Sequence, residues 1–264
     1  MRRRELLASS AGLAAAAGIV GQTASDAATR DRDAGREWYL LLQYQLAKPE
    51  KVEPIATYYR EVAAPALRRI GVGPVGIFTQ ATDTPTPSVY VLLAGRSPEV
   101  LATCTMRLLS DPEVGRSGAS YLSALPDDPA YQRVESSLLL AFEGMPKLQI
   151  PAKKPRIFEL RIYESHSEKA GMKKVEMFNK EEIAILRRTG LTPVFFGQTM
   201  VGPRMPNLTY MLVFDDMPAH DRAWRAFGAD ADWQRLRAIP EYADRNIVSK
   251  VSNVFLKPLE GSEI

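Results

Sequence analysis

LRRIGVGPVG, at Leu67–Gly76, returns 119 residues later as LRRTGLTPVF, at Leu186–Phe195. Leu67, Arg68, Arg69, Gly71, Pro74 and Val75 each meet an identical residue in the second stretch. The same interval sets Tyr39, Leu41 and Tyr44 on Phe158, Leu160 and Tyr163. A further shift of one sets Tyr90 and Pro98 on Tyr210 and Pro218. The chain therefore reads as an internal duplication. Two copies do not make a solenoid, which needs about three repeats or more.

Each copy carries the same run of signals. WYLLLQY (Trp38–Tyr44) and IFELRIY (Ile157–Tyr163) are rich in aromatic and aliphatic residues and read as strands. Helical spacing follows, over Val52, Ile55, Tyr59, Val62 and Ala66, and over Met172, Val175, Phe178 and Ile185. Gly71 and Gly190 end these helices, and Pro74 and Pro193 stop any continuation. A hairpin comes next, turning at TDTPTPS in the first copy and at Pro203–Asn207 in the second. Second helices start near Pro98 and Pro218, where the missing N–H costs little. SSLLLAFE (Ser136–Glu143) and IVSKVSNVFL (Ile247–Leu256) close the two units.

The order is βαββαβ, the ferredoxin-like arrangement, and the fold class is α+β. The units are expected at residues 37–148 and 156–258, joined by a linker at 149–155 that contains PAKKP. A sheet with both helices on one face leaves the other face bare, and that face must be covered. The two units are therefore expected to pack sheet to sheet and close one α/β barrel.

The first 27 residues have the layout of an export signal. Arg2–Arg4 precede an apolar run from Leu6 to Val20, then small residues up to Ala27. The run is about half of the roughly 20 residues a bilayer crossing requires. Arg3-Arg4-Glu5-Leu6-Leu7 resembles a twin-arginine motif. A periplasmic or secreted location is expected, with residues 28–36 a disordered polar link. Residues 1–27 carry three arginines, one glutamate and one aspartate, so their removal takes the formal net charge from +3 to +2. No basic block stands out, and nucleic acid is not an expected partner. No membrane contact is expected after signal removal. Cys104 is the only cysteine, so no intrachain disulfide can form. It reads as a small buried apolar residue.

The second copy resembles a NIPSNAP domain. The resemblance rests on FELRIY (Phe158–Tyr163), on Leu191–Asp216 and on HDRAWRAFGADADW (His220–Trp233). Trp224 fits the family pattern, and Asp230 and Trp233 keep the frame of its D-P-x-W element, with Ala231 in place of the proline. The first copy keeps Asp111-Pro112-Glu113 but has Val114 at the Trp position and no E-L-R. The resemblance implies the dimeric α/β-barrel superfamily, which includes cofactor-free monooxygenases, haem enzymes and lyases. It leaves the reaction open, as does the possibility of a homodimer.

The residues add little chemistry of their own. The two histidines, His166 and His220, lack a His or Cys at ligand spacing, and no metal or other cofactor is expected. No nucleophile elbow, phosphate loop or dinucleotide fingerprint is present. Strand alternation points Phe158, Leu160 and Ile162 at the helices and Glu159, Arg161 and Tyr163 into the barrel, with Tyr44 beside them from the first copy. These four and His166 are the expected ligand-binding set. The first reading is a small, partly apolar ligand inside the barrel. A cofactor-independent oxygenase or isomerase is the second, with Tyr163 or His166 as the acid–base group. A structural or protein-partner module with a filled core is the third.

Overall fold

The computed structural model describes residues 35–264; the expected signal and most of the polar link lie outside the described residues. The first half runs β1 (Trp38–Gln45), α1 (residues 52–69), β2 (Val72–Gln80), β3 (Ser88–Gly95), α2 (Pro98–Leu109), α3 (Pro112–Ser117), α4 (Ala119–Leu122) and β4 (Arg133–Ala141). The second runs β5 (Ile157–Glu164), α5 (residues 168–188), β6 (Thr192–Val201), β7 (Asn207–Phe214), α6 (Met217–Ala229), α7 (Ala231–Ala238), α8 (Asp244–Ile247) and β8 (Lys250–Pro258). No helix among the described residues is long and apolar enough to cross a membrane.

All eight strands form one closed antiparallel barrel in the order β1-β3-β2-β8-β5-β7-β6-β4. Within each half the strand order is that of a ferredoxin-like unit. The halves meet edge to edge, β2 on β8 and β4 on β6. Closure leaves no free sheet edge, and one chain supplies the whole barrel. Residues after β8 extend this seam. Leu259 and Glu263 donate backbone N–H groups to Ile77 and Val75, and the Ile264 side chain is buried in the barrel.

The repeated stretch has a structural task in both halves. Arg69 pairs with Asp111 at 2.5 Å, and Arg188 pairs with Asp230 at 2.5 Å. Each aspartate is the N-cap of the next short helix, α3 or α7. Asp111 accepts from Glu113 N–H, and Asp230 from the N–H groups of Asp232 and Trp233. A cap carboxylate satisfies orphan donors, and the arginine fixes where the helix starts. Gly71 and Gly190 have φ of 78° and 89°, the left-handed region that glycine enters without strain.

Register corrects one detail of the repeat. Leu42 pairs with Val91 on β3, and Arg161 pairs with Tyr210 on β7. Val91, not Tyr90, thus occupies the place of Tyr210, and the interval of 119 continues through the hairpins without a shift. The caps Ser97 and Asp216 keep the same interval. Both long helices also widen to π geometry at matching places, Tyr58–Ala63 and Phe178–Glu182. Met172, on the helical spacing of the second copy, is 65% exposed rather than packed.

Candidate functional site

The barrel interior is a packed core. Tyr39, Leu41, Phe78, Leu92, Phe158, Leu160, Phe195 and Met211 form one buried cluster there. A gap of about 30 Å³ lies beside Gln43, Glu135 and Asn207, room for roughly one water. The Tyr39 hydroxyl is buried in this core with no hydrogen-bond partner. The expected ligand chamber inside the barrel is therefore occupied by side chains.

The expected orientation of β5 is reversed. Phe158 and Leu160 point into the barrel, and Glu159, Arg161 and Tyr163 point outward under the helices. Tyr44 likewise faces the helices of its own half. The physical reason is that both sheet faces are buried. Alternation separates two faces but cannot tell which is interior when each is covered.

Glu159, Arg161 and Tyr163 are brought together as a closed network. Glu159, 0% exposed, is ion-paired with Arg161. It also accepts from Asn253 Nδ2 at 2.9 Å and from Trp224 Nε1 at 3.0 Å. His220 Nε2 lies 3.4 Å from the same carboxylate. Arg161 donates to the Tyr163 hydroxyl at 3.2 Å, and its guanidinium lies 4.6 Å from the Trp224 ring centre. Tyr210 donates to Tyr163 at 3.1 Å. Burial works against the Arg161 charge, but Tyr210, Tyr163 and Glu159 outweigh it and raise its pKa. Nearby, the buried Lys174 ammonium lies 3.3 Å from both Glu182 and Asp244, which hold it charged against the effect of burial. This network ties β5 to α6. Trp233 is buried against Phe227, and Asp230 caps α7. His166 is exposed in the loop after β5, apart from this network.

In the second half a groove of about 670 Å³ runs along the exposed face of α5 beside Met172, Glu176 and Lys180; a more enclosed space lies in the first half. A cavity of about 470 Å³ sits between β1, α1, α2, α4 and the loop before β4. Five tyrosines line it: Tyr44, Tyr58, Tyr59, Tyr121 and Tyr131. Tyr44 and Tyr59 share a hydroxyl–hydroxyl bond of 2.8 Å. Tyr58 and Tyr121 stack at 4.3 Å between ring centres, and Tyr131 meets Tyr44 edge-on at 5.1 Å. Burial pushes the Tyr44 phenol up to about 12 and raises Tyr59 and Tyr121 as well. All three stay protonated near neutral pH. At the mouth, Leu109 and Leu125 are 58% and 65% exposed. The loop over the cavity is tied down by Asp128, 2.7 Å from Lys51.

The reason for the space is visible at matching positions. Thr105 on α2 stands where Trp224 stands on α6, and Leu108 where Phe227 stands. Val114 stands where Trp233 stands. The first half has the same order of elements without the two indoles. Tyr44 is the one expected site residue on this cavity; Tyr58, Tyr59, Tyr121 and Tyr131 were not anticipated. A signal existed, since seven of the ten tyrosines precede residue 149.

Fold and site together define an intrachain α/β barrel flanked by one filled and one open helix layer. Residues 158–263, in the second half, match the model of the family named NIPSNAP. A NIPSNAP-like domain protein from Burkholderia xenovorans is 21% identical over 40% of this chain and 87% of its own, with a TM-score of 0.36. A provisionally assigned monooxygenase from Fusobacterium nucleatum subsp. nucleatum covers 86% of this chain and 94% of its own, at 8% identity and a TM-score of 0.56. An anthrone oxidase-like protein covers 86% and 93%, at 11% identity and a TM-score of 0.54. At these identities the likeness is one of fold. No curated protein matches the chain.

Proposed function

We propose that this is an exported protein that binds a small, partly apolar molecule in the tyrosine-lined cavity of its first half. One observation carries the reading: a cavity of about 470 Å³ with no charged side chain in its lining. Small-molecule sites are concave, mostly apolar and equipped with a few placed polar groups. Here those groups are phenol hydroxyls. Export is supported by the arginine-led apolar run at residues 2–20. Descent of the two halves from one duplicated unit is supported by the constant interval of 119 residues and the matching arginine–aspartate caps. On this account one copy kept the family frame filled and the other opened it.

The alternative is a cofactor-independent oxygenase or isomerase; among the fold neighbours are a provisionally assigned monooxygenase and an anthrone oxidase-like protein. The expected acid–base candidates, Tyr163 and His166, serve this alternative less well than the cavity serves the binding reading, and His166 is exposed in a loop. Tyr163 is held by Arg161 and Tyr210. Tyr44 has a raised pKa and suits donating a hydrogen bond better than taking a proton.

Native mass spectrometry of the protein purified from its own cells tests the reading. A bound small molecule is expected on the wild type and absent from Thr105→Trp, which restores the indole of the second half. The same adduct on both proteins contradicts it.

A further inference from the structure

We infer that the ligand is an uncharged, flat aromatic molecule bearing a hydrogen-bond acceptor such as a ring-attached ketone. This rests on the cavity being a small-molecule site, and it follows from three features of the lining.

The first is charge. No Lys, Arg, His, Asp or Glu lines the cavity. A carboxylate, phosphate or ammonium entering it would lose hydration without gaining a counter-charge. The second is shape and surface. The walls are rings: the Tyr58–Tyr121 stack on one side, and Tyr44 with Tyr131 edge-on to it on another. Aromatic rings add stacking and edge-to-face attraction to area burial when the guest is also aromatic.

The third is proton balance. A phenol hydroxyl has one proton to donate and can accept two. The Tyr44–Tyr59 bond uses only one of the two protons that the pair owns. The Tyr121 hydroxyl lies beside the same pair and adds a third. The lining holds no carboxylate, side-chain amide or imidazole that would compete for a free phenol proton. The hydroxyls are protonated, because burial holds their pKa values above the ordinary phenol range. The proton left over from the Tyr44–Tyr59 bond is free to meet an acceptor oxygen on the guest. A pure hydrocarbon would fill the space and leave that donor unmet.

Three probes with one ring system separate these features: 2-acetylnaphthalene, 2-ethylnaphthalene and 2-naphthoate. Each is titrated calorimetrically into the full chain. The ketone is expected to bind about five- to tenfold more tightly than the hydrocarbon, the worth of one hydrogen bond. The carboxylate is expected to bind at least about tenfold more weakly than the ketone. Replacing Tyr44, Tyr59 and Tyr121 together by Phe removes the three protons and is expected to erase the ketone's advantage while hydrocarbon binding remains. A thermal melt of that variant checks that it is folded. Equal binding of ketone and hydrocarbon, or strongest binding of 2-naphthoate, overturns the inference. If Thr105→Trp still abolishes that binding, the cavity reading survives. Failure of all three probes to bind also overturns the inference, and the native mass comparison then decides the cavity reading separately.

Discussion

The two halves of the barrel share one frame and fill it differently. In the second, the space between sheet and helices is taken by Trp224, Phe227 and Trp233, and by a buried charge network on Glu159. In the first, Leu40 and Leu42 replace Glu159 and Arg161 on the sheet, and Thr105 and Val114 replace the two indoles. Even the aromatic contact at the base is kept, Tyr44–Tyr59 at 6.1 Å against Tyr163–Phe178 at 6.2 Å. A frame held by strand pairing and helix caps tolerates the loss of bulky fillers. The half that matches the NIPSNAP model has its sheet–helix space filled, and the other half holds the tyrosine-lined cavity.

The sharpest break in this comparison is at Glu159. Glu159→Ala strands the Arg161 guanidinium under α6, and a loss of about 3–5 kcal/mol is expected from urea denaturation. Leu40→Ala at the matching place removes only apolar contact and should leave no unpaired charge. A smaller loss for Glu159→Ala than for Leu40→Ala would contradict the assigned role of the network.

Trp224→Thr writes the first half's residue into the second. It should cost about 3 kcal/mol, the scale of a large-to-small core change, and open a second cavity there. Unchanged stability would mean that the indole is not the filler.

The cavity phenols give a pH signature. The Tyr44 pKa is raised to about 12 in the fold against about 10 unfolded, so the native state binds more protons between these values. Stability is therefore expected to be unaffected by Tyr44 below about pH 10 and to fall as pH rises toward 12. Urea midpoints at pH 9, 10 and 11 should fall more steeply for the wild type than for Tyr44→Phe. Parallel slopes would place the phenol in contact with solvent.

The smallest effects belong to the shared frame. Asp111→Ala and Asp230→Ala each remove a helix cap and an arginine partner. Both should lower the thermal midpoint by similar, modest amounts. A large difference between them would show that the repeated stretch serves the halves unequally.

Much of this frame was legible in the sequence. Leu67–Gly76 and Leu186–Phe195 each span a helix end and the start of the next strand, as read, and the aromatic and aliphatic runs at Trp38 and Ile157 are strands. Gly71 and Gly190 end helices as read. The direction of the β5 side chains was not legible, because Phe158 and Glu159 are both fully buried on opposite faces. The cavity was hidden for another reason. It is made by residues that are small where a relative is large, and Thr105 and Val114 announce nothing alone. They gain meaning only once the frame sets them opposite Trp224 and Trp233. His220 and Asn253 were missed as network members because their partner Glu159 is far away in sequence.

Diffraction from crystals of the protein under xenon pressure tests the central claim most directly, since xenon enters dry apolar cavities. The account predicts xenon in the first half among Tyr58, Leu108 and Tyr121, and none among Tyr163, Trp224 and Phe227. Xenon in the barrel interior or in the second half, with the first half empty, would contradict it.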